Sequence, residues 1–275
     1  MKRLSLVLTA FAISATAGAQ TLPERVAKTK TIKVAVNPIY PPMESKDPAS
    51  GNLVGFDIDL GAALAKELGV KLEYQDSAFE QMMPALTTGR ADIILSGLYD
   101  RPARREQADF VNYLNSGVQF FTQLSRAELK DATDLCGKTI ATSRSTSFPA
   151  EIKEWSDKNC VAAGKAAINV EGTQDNNAAR AGLKQGRYDA VAQGSETVSY
   201  ITSSLEPNTY KTLGLPFGGA QHGIAIAKND PQLRDAILAA MRKLVANGTY
   251  QDIIVKWNLQ TSAVKQVGLN GAPQP

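Results

Sequence analysis

The 275-residue chain carries 30 Lys and Arg against 27 Asp and Glu, a formal net charge of +3. So even a balance gives no electrostatic case for nucleic acid or for an anionic membrane surface as a partner. The length suits one large domain or two lobes of ordinary size, each with its own core.

The chain opens Met1-Lys2-Arg3, runs through the apolar stretch Leu4 to Ile13 and reaches Ala17-Gly18-Ala19. A basic start, an apolar run too short to span a bilayer and an A-x-A cleavage pattern read as a secretory signal peptide over 1–19. A membrane anchor is the other reading of this segment. Cleavage would remove Lys2 and Arg3, leaving a chain of net charge +1 that starts at Gln20 and has no other long apolar run.

Next, TIKVAVN at 31–37 alternates and is β-branched, which predicts a strand. It ends in PIYPPM, where Pro38, Pro41 and Pro42 force an extended loop. GFDIDLGAALAKELG then predicts a helix with Asp57 as N-cap, Leu60, Leu64 and Leu68 on one face and Gly69 as the stop. The strand VKLEYQ follows, so the order is βαβ and the sheet is parallel.

An internal echo comes next. LTTGRADIILSG, Leu86 to Gly97, and LKQGRYDAVAQG, Leu183 to Gly194, both fit L-x-x-G-R-x-D-x-x-x-x-G. Each describes a helix stopped at glycine, then a short apolar strand that stops at a second glycine. Two similar αβ units account for this by chance; two matching lobes whose strand ends face each other across a cleft account for it by design. Between the two segments, LSGLYDRPARRE gathers Arg101, Arg104 and Arg105.

The two cysteines, Cys136 and Cys160, predict a structural disulfide in an exported chain. Together with the single histidine, His222, they fall short of a four-ligand metal set. A Cys-His nucleophile pair would need the thiolate that the disulfide removes. No cofactor is indicated. Near the end, GIAIAKNDPQLRDAILAAMRKLVANGTYQDIIVKW predicts a strand, a helix started at Pro231 and a second helix from Gly248-Thr249. The tail GLNGAPQP has no periodicity and is expected to fray.

Taken in order, VNPIYPPM, LVGFDIDLGAALAKELG, MMPALTTGRADIILSGL, PARREQADF, GIAIAKNDPQLRDAI and ANGTYQDIIVKW resemble the periplasmic solute-binding proteins of ABC importers, in their polar amino-acid family. The resemblance spans about 31–259. It implies a type II periplasmic binding protein fold, two Rossmann-like α/β lobes joined by a two-strand hinge. The crossings are expected near Ser116 to Phe121 and Pro216 to Gly223. Lobe one would take 24–117 and the returning segment 221–260, lobe two 118–220, and the tail 261–275. His222 then falls at the hinge as a packing residue.

The resemblance places Arg104 as the grip on a ligand carboxylate, a role that suits the bidentate guanidinium fork, with Arg101 and Arg105 left at the surface. The strand end Ser96-Gly97-Leu98 is expected to offer a carbonyl to an ammonium and an N–H to the carboxylate. Ser145-Thr146-Ser147, ahead of a helix, would offer N–H groups and hydroxyls to an oxygen anion, or act as a simple N-cap. Tyr40 and Phe79 would sandwich the ligand's side chain, or pack as core. Two departures stand out: Tyr99 replaces a usual Ser or Thr, and Gly194 replaces an aspartate that pairs with the ligand ammonium. A buried unpaired ammonium is costly, so Gln193, Glu196 or Asn37 would compensate, or the ligand lacks that group. Arg144 beside the Ser-Thr-Ser turn adds positive charge.

The function these features imply is a monomeric periplasmic receptor that binds an amino acid or related small carboxylate between its lobes for an ABC permease of the inner membrane. It is not an enzyme on this reading. The rival is a periplasmic enzyme of the same fold, cyclohexadienyl dehydratase-like, with Glu196 as its acid. No nucleophile with a paired base supports it.

Overall fold

The computed structural model describes residues 21–273, so the signal segment expected at 1–19 lies outside the described residues. Among the described residues no helix is long and apolar enough to cross a membrane. The first half opens with α1 (Glu24–Thr29) and β1 (Thr31–Val36), in which Ile32, Val34, Ala35 and Val36 are buried. The proline-rich stretch folds into a small sheet of β2 (Ile39–Tyr40), β3 (Glu44–Lys46) and β4 (Leu53–Val54). Then come α2 (Phe56–Leu68), β5 (Lys71–Asp76), α3 (Phe79–Thr87), β6 (Ile93–Ile94) and the single turn α4 (Pro102–Arg105).

The second half starts with β7 (Ala108–Gln123) and continues through β8 (Thr139–Ser143), α5 (Phe148–Asn159), β9 (Asn169–Thr173), α6 (Asn176–Lys184), β10 (Ala190–Gly194) and α7 (Ser195–Tyr200). The chain returns along β11 (Tyr210–Ala227) to α8 (Pro231–Ala246), α9 (Thr249–Lys256), β12 (Ala263–Leu269) and β13 (Ala272–Pro273). In the main sheet the strand order is β5-β1-β6-β11-β7-β10-β8-β9. On either side of the antiparallel β11–β7 pair stands a parallel trio, with β6 against β11 and β10 against β7. The echoed segments therefore end in β6 and β10, at mirrored positions beside the central pair.

Each flank has its own core. On one side Phe56, Tyr113, Ile226, Met241 and Tyr250 pack around α2, α8 and α9. On the other, Phe120, Leu135, Ile152, Cys160 and Leu213 pack around α5. Cys136 and Cys160 are joined by a disulfide across a separation of 24 residues.

Two local expectations fail. Asp57 does not cap α2; Gly55 holds that position, and the Asp57 side chain is wholly buried. Nor do the described residues of the tail, up to 273, fray. Residues 263–269 form β12 against β7, with Ala263 opposite Leu114 and Leu269 opposite Val111. Val264 and Val267 are buried there, and the Asn270 side chain accepts from the Phe110 N–H at 2.8 Å. The partner strand lies about 150 residues upstream, a pairing that periodicity within the tail cannot reveal.

The disulfide closes its loop around the α5 core, so a Cys136→Ser/Cys160→Ser double variant should lose about 3 kcal/mol of stability. Equilibrium urea unfolding followed by fluorescence is the check, since Trp155 packs against Phe120 and Phe217 in that core.

Candidate functional site

A cavity of about 110 Å³ lies where the ends of β6 and β8 meet the starts of α3, α5 and α6. That is several times the volume that admits one water. Among the expected site residues, Asn37, Tyr40, Phe79, Ser96, Gly97, Tyr99 and Arg104 line it from one flank, Thr146 and Ser147 from the other. Leu98, Ser145, Gln193 and Glu196 do not.

Arg104 lies in the α4 turn that Pro102 starts. One Nη donates to the Tyr99 carbonyl at 2.7 Å, and the guanidinium lies 5.6 Å from the centre of the Phe79 ring. Burial, helped by the neighbouring Arg101 charge, pulls its pKa down to about 10. Among the described residues no carboxylate lies within ion-pair distance of it. A desolvated cation without a counter-charge is costly, and a ligand carboxylate is the natural remedy.

The other two arginines correct the expectation of a bare surface. Arg101 pairs with Glu151 of α5 at 2.6 Å, donates to the Gly218 carbonyl at 3.0 Å and lies over the Tyr99 ring. Arg105 pairs with buried Asp100. Arg101–Glu151 thus ties one flank to the other beside the cavity. Arg144 is exposed and lines no part of it.

The strand end is held from behind. Gly97 has φ +50°, and a Cβ there would come within 2.8 Å of the Tyr40 ring, so only glycine fits. Its N–H, expected to face a ligand, instead donates to Asp57 Oδ2 at 2.7 Å, and the Tyr113 hydroxyl donates to the same oxygen at 2.9 Å. Ser96 Oγ accepts from the Asn37 N–H at 2.9 Å and donates to Glu44 at 2.8 Å. Leu98 is core, its carbonyl taken by the Gly223 N–H at 3.0 Å.

In the facing flank, Thr146 Oγ1 donates to the Ser143 carbonyl at 2.8 Å and accepts from the Phe148 N–H at 3.2 Å. That fixes the turn ahead of α5 and leaves Ser147 on the cavity wall. Ser145 lies outside the wall itself, but its hydroxyl comes 3.5 Å from the carboxyl group of Glu80, a wall residue at the start of α3. Tyr99 narrows the cavity: its ring meets Phe148 edge-on at 5.4 Å, and its hydroxyl donates to the Gly117 carbonyl at 3.1 Å.

At Gly194 a Cβ would meet both Tyr40 Oη and Glu196 Oε1 at 2.1 Å. That space belongs to a hydrogen bond of 2.7 Å in which the Tyr40 phenol donates to Glu196. Glu196 is buried behind Tyr40, accepts from Ser116 Oγ on its other oxygen and has His222 Nε2 at 3.6 Å. Gln193 turns the other way and donates from its amide to the Asn176 carbonyl at 2.9 Å. Neither residue reaches the cavity. His222 is wholly buried against the Tyr99 ring, and that burial depresses its pKa.

Sequence reasoning missed Glu44, Glu80, Phe148, Asp175 and Asn176 on the wall. Of these only Asp175 left a signal, as an N-cap ahead of α6, where it accepts from the Ala178 N–H at 2.8 Å.

Glu44 and Asp57 form a buried acid pair. Burial, and then the Asp57 charge, push the Glu44 carboxyl well above the carboxylate range. Burial also pushes Asp57 up to about 7, against the pull of its hydrogen bonds from Gly97, Tyr113 and Glu44. Glu44 Oε2 and Asp57 Oδ1 are each buried without a donor among the described residues, and a carboxyl proton on Glu44 donated to Asp57 would satisfy both. Both groups hold protons to higher pH folded than unfolded. The Asp57 contribution to stability is therefore complete below about pH 4 and is lost as pH rises through about 7, and that of Glu44 is lost in the same direction. Glu44→Gln supplies a permanent donor to Asp57. Chemical denaturation at pH 5 and pH 8 should show a smaller loss of stability between the two in that variant than in the wild type.

The family model for bacterial extracellular solute-binding proteins, family 3, matches residues 32–260. The chain is 29% identical to the arginine-binding protein ArgT of Corynebacterium glutamicum over 252 residues, 92% of this chain and 82% of that one. It is 30% identical to an L-arginine-binding protein of Pseudomonas aeruginosa over 239 residues, covering 83% and 88%. Its backbone also resembles that of AncCDT-1, described as an ancestral amino acid-binding protein and a precursor of cyclohexadienyl dehydratase, with a TM-score of 0.72, 29% identity and coverage of 85% and 97%. With the two-flank sheet and the cavity between its strand ends, the match over most of its length places this chain in family 3 of the bacterial extracellular solute-binding proteins.

Proposed function

We propose that the protein is the receptor of an ABC importer, that it takes an amino acid or a close small carboxylate between its lobes, and that it hands this ligand to a permease. The 1–19 segment would send it to the periplasm and be cleaved there. The observation that carries the reading is Arg104: a guanidinium desolvated at the cavity wall, steadied by the Tyr99 carbonyl and Phe79, with its remaining donors unmatched by any carboxylate among the described residues. A ligand carboxylate completes it through the planar fork. Tyr40 and Phe79 would flank the ligand's side chain, and Ser147 and Thr146 would close over it from the facing flank.

The relatives named for arginine binding support an amino acid as the ligand class. Binding is preferred to catalysis because Glu196, the acid a dehydratase would need, lies behind Tyr40 with both oxygens engaged.

Thermal unfolding against the common amino acids, dicarboxylates and keto acids is the test. A ligand at a hundred times its Kd adds about 2.7 kcal/mol, a midpoint rise of roughly 5–10 °C for a chain of this size. Arg104→Ala should weaken that ligand at least about 30-fold, since it strips a buried charge pair of one partner. An unchanged shift in the variant rejects Arg104 as the anchor.

A further inference from the structure

The cavity wall is unequal in charge and in hydrogen-bonding character. Arg104 is the cation that lines it, whereas Glu44, Glu80 and Asp175 bring carboxyl groups. Glu44 is engaged from behind by the Ser96 hydroxyl at 2.8 Å, which leaves Glu80 and Asp175 as the other carboxyl groups on the wall. Asn176 adds a side-chain oxygen, Oδ1, that is buried and has no donor among the described residues. Glu80 has the Ser145 hydroxyl near it and Asp175 caps α6, but an anion seated on Arg104 alone would leave the buried Asn176 Oδ1 with nothing to donate to it, at the cost of an unpaired buried polar group.

Acceptors from the end of β10 are closed off. A side chain at 194 would collide with the Tyr40–Glu196 hydrogen bond, and Gln193, whose amide donates to the Asn176 carbonyl, lines no part of the cavity, so its unpaired Oε1 does not face the ligand. The facing acceptors therefore come from the next element along, the start of α6, which packs against β2 and so against Tyr40.

We infer, on the basis of the receptor reading above, that Asp175 and Asn176 bind a protonated nitrogen of the ligand, so that the ligand is gripped as an anion by Arg104 and as a cation from α6. One Asp175 oxygen caps α6 through the Ala178 N–H, and the other is available to the ligand. The positive end of α6 does not forbid this. A helix N-terminus carries roughly half a positive charge, and the carboxylate outweighs it.

The protonated nitrogen can be an α-ammonium or the end of a basic side chain, and three probes separate these sources. L-Arginine carries both, L-norvaline the α-ammonium alone and 4-guanidinobutyrate the distal cation alone. Isothermal titration of the wild type, Asp175→Asn and Asn176→Ala with each probe is the test. Asparagine also caps helices well, so Asp175→Asn removes charge and keeps the fold. An unchanged thermal midpoint without probe verifies this.

Asp175→Asn is expected to weaken arginine roughly 10- to 100-fold, and Asn176→Ala to weaken it in the same direction. A matching loss with norvaline assigns the α-ammonium to α6; a matching loss with 4-guanidinobutyrate assigns the side-chain cation. The inference is overturned if both variants bind every probe as the wild type does, or if the wild type binds another amino acid but none of the three. Binding of no amino acid at all by the wild type would instead remove the receptor reading itself.

Discussion

The antiparallel pairing of β7 with β11 is the constraint on which the rest of the molecule depends. These strands continue through both flanks of the sheet, from Ala108 opposite Ala227 to Gln123 opposite Tyr210. Each flank adds its own parallel trio outward from that pair, and each trio turns a strand end toward the same gap. The register shifts between Leu213 and Phe217, between Phe217 and Ala220 and between His222 and Gly223. Bulges bend and twist a strand, so these shifts fall where two lobes sharing the strands would change direction.

The site uses that geometry by holding its polar groups from behind. Asp57 takes the Gly97 N–H and Glu44 takes the Ser96 hydroxyl, so the strand end is fixed before any ligand arrives. Tyr99 and Tyr40 reach the same buried cluster through Ser116 and Glu196. Contacts across the gap, Tyr40 to Glu196 and Arg101 to Glu151, link the flanks without a ligand. Ligand contacts therefore add to an approach of the flanks that already has favourable terms, as expected where closure is a shift between existing conformations.

Much of this was legible in the sequence because it is local. Helix-stop glycines and β-branched runs revealed both αβ units, and the echo of Leu86–Gly97 in Leu183–Gly194 foretold mirrored strand ends. Arg104 stood out because its segment resembles a known family. What was not legible depends on long-range neighbours. Asp57 reads as a cap from its place before an apolar helix, yet Gly97 and Tyr113, from distant strands, draw its carboxylate inward. Glu196 looked like a substitute for a carboxylate at 194, but the Tyr40 ring comes between it and the cavity. Asp175 and Asn176 belong to the cavity only because α6 packs against β2, a contact no local pattern encodes.

The central claim is that the Arg104 guanidinium is completed by a carboxylate from outside the chain. A crystal structure with the tightest amino acid from the thermal panel tests it most directly. The account predicts both carboxylate oxygens at about 2.7–2.9 Å from Arg104 nitrogens, between Tyr40 and Phe79. A ligand whose carboxylate lies elsewhere, with Arg104 still bound only to the Tyr99 carbonyl, would contradict it.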